Sequence, residues 1–183
     1  VVEIRARVDA PYHILERYVS GQEAYDLISQ GPSQATAVAK WALQLTDALK
    51  YMESRNPPIY HGDISPRNII INNDIAQLID FGLAYLVPFS DLPQGGTPPY
   101  RPPERDKPGG RWDPSGDVYS LGVVLCELLF GDLPYSRENA SPNKSSIREE
   151  LFVTSGKASR PLLEALRKAI APNPPERYKS ALE

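Results

Sequence analysis

HGDISPRNIIINNDIAQLIDFG, residues 61–82, sets two short apolar runs (69–71 and 78–79) among three polar groups, Asp63, Asn68 and Asp80. Polar turn formers bound each run, and Asn72, Asn73 and Asp74 between them read as a tight connection, so the pattern predicts a β-hairpin. Such a hairpin brings Asn68 and Asp80, at its open end, side by side, with Asp63 on the loop just before. Two oxygen ligands beside a further carboxylate suit a hard cation that carries phosphate oxygens, because Mg2+ takes few protein oxygens and completes its shell from the substrate. The stretch therefore predicts a phosphoryl-transfer site.

Outward from this centre the chain reads as helical. Ala35, Val38, Ala42, Leu45, Leu49 and Met52 recur at three- and four-residue steps, predicting one long helix over about 33–55 with a single buried face that also takes Trp41. Pro57 and Pro58 stop it, since proline lacks a donor and restricts the residue before it. EAYDLISQ (23–30) is a shorter helix closed by Gly31, and residues 1–8 and 12–19 carry short β-type patterns. Downstream, residues 89–103 are rich in Pro and Gly and predict an irregular segment. Residues 112–131 then form a helix begun at Asp117; VYSLGVVLCELLFG (118–131) is apolar almost all round, the pattern of a helix buried on every side, with Cys126 as inert core. The polar stretch 131–156 holds a short helix near 145–152, and Leu162, Leu163, Leu166 and Ile170 mark a late core helix over 161–170. The predicted fold class is mainly α with a small β-hairpin (α+β).

The chain's 183 residues, 41% of them hydrophobic, suffice for one core and one domain. A formal net charge of −3 without a basic cluster gives no support to binding of nucleic acid or of a membrane surface. A single cysteine excludes an internal disulfide framework and suits a reducing compartment, so a cytoplasmic place is expected. No apolar run reaches spanning length, and VVEIRARVDA (1–10) lacks a signal-peptide pattern. With no initiator methionine, the chain is expected to be a segment of a longer protein.

HGDISPRN resembles the catalytic loop of protein kinases, H-R-D-L-x-x-x-N, and Asp80-Phe81-Gly82 resembles their metal-binding D-F-G. GTPPYRPPE (96–104) is similar to the end of a kinase activation segment, DVYSLG (117–122) to the helix after it, and NPPERY (173–178) to an arginine-bearing turn late in the large lobe. Five motifs in order point to the Hanks-type serine/threonine protein kinases. The resemblance implies a protein-kinase-like C-lobe: last small-lobe strands and hinge over 1–19, and large lobe over 20–183. Within the latter fall the catalytic loop 61–68, the activation segment 80–104 and a central helix at about 117–130. It further implies ATP and Mg2+ as cofactors and transfer of the γ-phosphate to a Ser/Thr hydroxyl of a protein substrate. The small lobe, with its glycine-rich loop, strand lysine and helix glutamate, is expected elsewhere in a parent protein with further domains, and the isolated segment is expected to be inactive without it. The usual last helix of the large lobe is likewise expected beyond the segment.

By that resemblance Asp63 accepts or orients the substrate proton, Asn68 and Asp80 hold the metal, and Thr97 contacts Asp63. Ile70 floors the adenine, backbone groups of Arg17 to Val19 meet its edge, and Glu16 takes the gatekeeper place. His61 packs beneath Phe81, Glu104 and Arg177 form a buried ion pair, and Asp117 caps its helix while holding the catalytic-loop backbone. Gly62 stands where the family has arginine, which leaves the pocket that reads a phosphorylated activation segment incomplete. Ser65 replaces the lysine of most serine/threonine kinases; Arg67, four residues after Asp63, could supply the lost charge, as in many tyrosine kinases. Pro66 and Thr97 favour the serine/threonine class. A pseudokinase scaffold and an aminoglycoside-type small-molecule phosphotransferase, whose loop also reads H-G-D-x-x-x-x-N, stay open as alternatives.

Overall fold

A computed structural model describes residues 17–81, 84–86, 95–106, 114–138, 141–153, 156 and 158–183. The β-type readings over 1–8 and 12–16, Glu16, Gly82, Ser90 and Trp112 lie outside these residues. Helix α3 (Ser115–Phe130) forms the centre. Tyr119, Leu121, Val123, Val124, Leu125, Cys126, Leu128 and Leu129 are all buried on it, pointing to several sides. Full burial of one such side chain contributes about 1.5–3 kcal/mol, which is why a helix lacking a polar face is stable only here. Burial also pushes the Cys126 thiol up, keeping it protonated and inert. Gly131, in the left-handed region at φ 79°, ends the helix by donating its N–H to Glu127 O at 2.8 Å.

Helix α2 (Ala35–Glu53) packs on α3 and buries Val38, Trp41, Leu45, Leu49 and Met52, all on the face its spacing predicts. Helix α5 (Arg160–Ala169) packs on another side of α3. There Gly122 allows close approach: a Cβ on it would lie 2.9 Å from Ala169 Cβ. Helix α1 (Ala24–Gln30) ends at Gly31 as expected and leans on α3 as well. The helical frame follows from apolar spacing alone.

On α2 rests a three-stranded antiparallel sheet in the order β1 (Gln22–Glu23), β3 (Ile69–Asn72), β4 (Ile75–Leu78). The hairpin is the expected one, with Ile69 opposite Leu78 and Asn72 opposite Ile75. Its second strand begins earlier than the apolar run at 78–79 indicates, because the two-residue connection puts Ile75 straight into the ladder. Asn73 takes the turn at φ 53°, a conformation Asn tolerates better than most. Gln44 of α2 grips the hairpin, accepting from Ala76 N at 2.7 Å and donating to Asp74 O at 2.8 Å. Residues 17–20 have no regular structure, so the β-type reading of 17–19 is corrected; the strand begins only after Gly21, where a Cβ would strike Ile71 O at 2.7 Å.

A second hairpin, β6 (Tyr135–Glu138) with β7 (Ser141–Ile147), takes the first part of the short helix expected near 145–152. Residues 145–147 pair as strand, and helix α4 covers only Glu150–Val153. Long-range pairing overrides local pattern there. Tyr135 Oη donates to Pro99 O, tying this hairpin to residues 97–106. A short antiparallel pair, β2 (Ile59–Tyr60) with β5 (Tyr85–Leu86), flanks the residue 61–82 stretch.

The ion pair between Glu104 and Arg177 is present. Two parallel bonds of 2.8 Å join the guanidinium to both carboxylate oxygens. Arg177 also donates to Ala171 O and Pro172 O and lies 4.6 Å from the centre of the buried Tyr119 ring. Removing one partner strands the other charge inside the protein. Glu104→Ala is expected to cost about 3–5 kcal/mol, read as a lowered melting temperature; an unchanged melt would show that the pair is not structural.

Candidate active site

The backbone of His61 and Gly62 is held by α3. Asp117 is 1% exposed, and both its oxygens accept backbone donors: His61 N at 2.7 Å and Gly62 N at 3.0 Å. Burial pushes its carboxyl up, while nearby His61 and the two amides pull it back down. Of the two roles the resemblance implies for Asp117, holding the loop backbone is met by these bonds, whereas the reading as helix cap is corrected, since Pro114 occupies the cap. The two loop N–H groups take one oxygen each, and no side-chain cap bond to the helix's own end is made.

His61 is fully buried and uses both ring nitrogens. Nδ1 accepts from Asp63 N at 3.3 Å and Nε2 donates to Ile79 O at 3.1 Å, which assigns the proton to Nε2. Its ring stacks at 5.1 Å from that of Phe81, the packing expected of a structural rather than a proton-transferring histidine. The imidazole thus spans from Asp63 to the residue before Asp80.

Asp63 Oδ1 accepts two bonds of 2.8 Å, one from Thr97 N and one from Thr97 Oγ1. Asn68 Nδ2 donates to Asp63 O at 2.8 Å and more loosely to Asp63 Oδ2 at 3.3 Å. Oδ2 is therefore the less occupied oxygen. Asn68 O accepts from Ile79 N at 2.9 Å, closing the open end of the hairpin and setting Asp80 next to Asn68 along the chain fold. Asp80 sits at φ 60°, an uncommon backbone for a non-glycine residue, of the kind that clusters at functional sites. Asp63, Asn68 and Thr97 are thus joined directly, and Asp80 adjoins them through the hairpin end.

Other residues singled out from the sequence lie further out. Ile70 is half-buried in β3 opposite Glu23, and Val19 is half-buried while Arg17 is exposed. Arg67 turns away from Asp63: its guanidinium lies 4.0 Å over the Tyr25 ring and 3.4 Å from Glu23. Ser65 is buried, so no cation stands at its position. Among the described residues no group of three His, Cys, Asp or Glu forms a metal cluster. Sequence reasoning did not foresee the contact of Gly96 with the loop, where a Cβ would lie 3.3 Å from Gly62 O, nor the bond between Asp106 and Lys144. Lys144 stands in a stretch without periodicity, and nothing local marks its partner.

The family model described as "Protein kinase domain" matches residues 3–180. The chain is similar to CBL-interacting serine/threonine-protein kinase 20 of Arabidopsis thaliana, 32% identical over 97% of this chain and 41% of that protein. It is also similar to serine/threonine-protein kinase kin-29 of Caenorhabditis elegans, 29% identical over 94% of this chain and 21% of that one. CBL-interacting protein kinase 15 of rice (Oryza sativa subsp. japonica) is 32% identical over 96% and 41%. The chain thus spans well under half the length of these relatives.

The Asp117 anchor has its own check, separate from any activity. Asp117→Ala leaves the His61 and Gly62 amides buried without acceptors, at roughly 1–3 kcal/mol for each. Expected outcomes are a lower denaturation midpoint and loss of hydrogen-exchange protection at those two amides; retained protection would refute the anchoring role.

Proposed function

The chain belongs to the protein kinase family, and we propose that, completed by the rest of its parent protein, it transfers the γ-phosphate of ATP to a serine or threonine hydroxyl of a protein. The observation that supports this reading best is the paired donation of Thr97 to Asp63 Oδ1. It fixes the carboxylate's orientation and leaves Oδ2 to receive the substrate hydroxyl's proton as the hydroxyl oxygen attacks the γ-phosphorus and the bond to the ADP leaving oxygen breaks.

The donor set fits Mg2+. The Asn68 amide nitrogen is committed to Asp63, which turns its carbonyl oxygen to other use, and Asp80 offers a carboxylate at the same hairpin end. When bound, the ion would neutralise phosphate charge during transfer. Asn68 and Asp80 would hold it, while His61 keeps the two halves of the site in register. Ile70 and the backbone of Arg17 and Val19 are assigned to the adenine side, and a cytoplasmic setting accords with the one buried cysteine.

One observation favours a second reading, a scaffold that keeps the fold without efficient chemistry. Ser65 brings no charge, and Arg67 is engaged by Glu23 and Tyr25 rather than by the reacting centre. Incubating the intact parent protein with Mg-ATP, a generic protein substrate and an aminoglycoside, beside Asp63→Asn, separates the possibilities. Phosphoserine or phosphothreonine that falls at least about 100-fold in Asp63→Asn is the expected result. Phosphorylated aminoglycoside, phosphotyrosine alone, or no turnover by a folded protein that binds ATP would overturn the proposal, the last in favour of the scaffold.

Gly62 carries no guanidinium to grip a phosphorylated activation segment, and the Thr97 hydroxyl is already bonded to Asp63. Phosphatase treatment of the parent protein is therefore expected to change its activity by less than about twofold, whereas a phosphorylated, charge-reading switch would shift it by orders of magnitude. A large loss on dephosphorylation at Ser90 or Thr97 would disprove this.

A further inference from the structure

Helix α2 has a second face, opposite the one it buries. Thr36, Lys40, Leu43, Asp47 and Tyr51 follow one another at three- and four-residue steps and fall in one narrow stripe of the helix surface. Leu43 is 70% exposed and Tyr51 58%, with the Arg55 guanidinium 4.1 Å over the Tyr51 ring. Ile75 of β4, also 58% exposed, joins them. Gln44 bonds Asp74 O and Ala76 N on either side of it, which holds Ile75 alongside α2, one position from Leu43. One exposed apolar side chain is ordinary; an apolar strip framed by charges is the pattern of a contact surface.

The charges on this face have an order that is complementary to itself. Lys40 Nζ donates to Asp74 Oδ2 at 2.6 Å, and Asp47 Oδ1 lies 4.0 Å from Lys50 Nζ, the outer reach of an ion pair. All four side chains are largely open to solvent, Asp47 most of all. The Lys40 ammonium keeps donors beyond the one it gives Asp74. Lys40 and Asp47 stand two turns apart, about 10 Å along the axis, with Leu43 between them. Run antiparallel to a copy of itself, the stripe matches. A two-fold axis midway between residues 43 and 44 sets Lys40 of each copy against Asp47 of the other, with the two Leu43 side chains at the centre and Tyr51 against Thr36. The row then reads Asp74, Lys40, Asp47, Lys50 across the two copies, and each charge has only opposite charges beside it.

We propose that the outer face of α2, with Ile75, is a homodimerisation surface on which a second copy of this chain packs antiparallel. The stripe from Thr36 to Tyr51 is about 22 Å long, and two helices side by side cover an interface at the small end of the specific range. The dimer is therefore weak and reversible. None of Asp63, Asn68 or Thr97 belongs to this face, so the pairing is independent of the chemistry proposed for them.

Sedimentation equilibrium of the intact parent protein over a concentration series tests this. The expected result is a reversible monomer–dimer equilibrium that weakens as salt rises. Leu43→Asp should weaken it at least about tenfold. Lys40→Asp and Asp47→Lys should each weaken it, and combining the two should regain part of the loss, because the exchanged charges again face opposite partners. Asp63→Asn should dimerise like the unaltered protein. A parent protein that is monomeric at every concentration, its face left to another protein or to solvent, overturns the proposal. So does a dimer that Leu43→Asp leaves unchanged. If a charge variant fails to fold, thiol crosslinking decides. A short bis-maleimide is expected to join two copies of the Leu43→Cys protein and not of the unaltered one, in which Cys126 is buried. Crosslinking that is absent, or equal in both, overturns the proposal.

Discussion

Asp117 is a carboxylate with no route to water, and its two acceptor oxygens are satisfied only when the His61 and Gly62 amides are in place. A buried charge left without donors costs several kcal/mol, and two buried amides left without an acceptor add to that. Core and loop therefore form together or not at all. Because Asp117 sits in the first turn of the helix that fills the molecule's centre, packing far from the site fixes where Asp63 stands. From there the constraint passes through the imidazole of His61 to Ile79 and so to the hairpin end that carries Asp80.

The segment over 97–106 is pinned at both ends. Thr97 holds it to Asp63, and the two-pronged bond from Arg177 holds Glu104, with the Tyr119 ring against the guanidinium. Between these anchors the β6–β7 hairpin adds Tyr135 and Lys144. A proline-rich stretch whose regular structure is a single 3-10 turn at Pro103–Asp106 thereby acquires a fixed shape beside the Asp63 carboxylate.

Much of this was legible before any coordinates, and for different reasons in different parts. The faces of α2 and α3 follow from apolar spacing, which depends on helix geometry alone. The β3–β4 hairpin follows from two apolar runs around Asn73, whose left-handed backbone the residue type itself permits. The contact of Thr97 with Asp63, the packing of His61 on Phe81 and the Arg177–Glu104 pair came from motif resemblance, not from local physics. Residues 145–147 failed as a helix because their partner strand lies across a turn and outweighs short-range preference. The hold of Asp117 on the loop, 55 and 56 positions away in sequence where no local window sees it, likewise came from motif resemblance, and only its reading as a cap failed.

By itself the sequence determined which helices form, which of their faces are buried, where the hairpin turns, and that carboxylates and an amide gather near residues 61–82. Those outcomes rest on periodicity, turn chemistry and residue type, all of which act over a few positions. Tertiary structure alone decided that Asp117 makes no cap bond to its own helix, that Arg67 leans on Tyr25, and that Arg101 and Lys144 meet on Asp106. Each of these is a competition among charged or polar partners brought near by packing, and the winner depends on distances of a few ångströms that exist only once the core has closed.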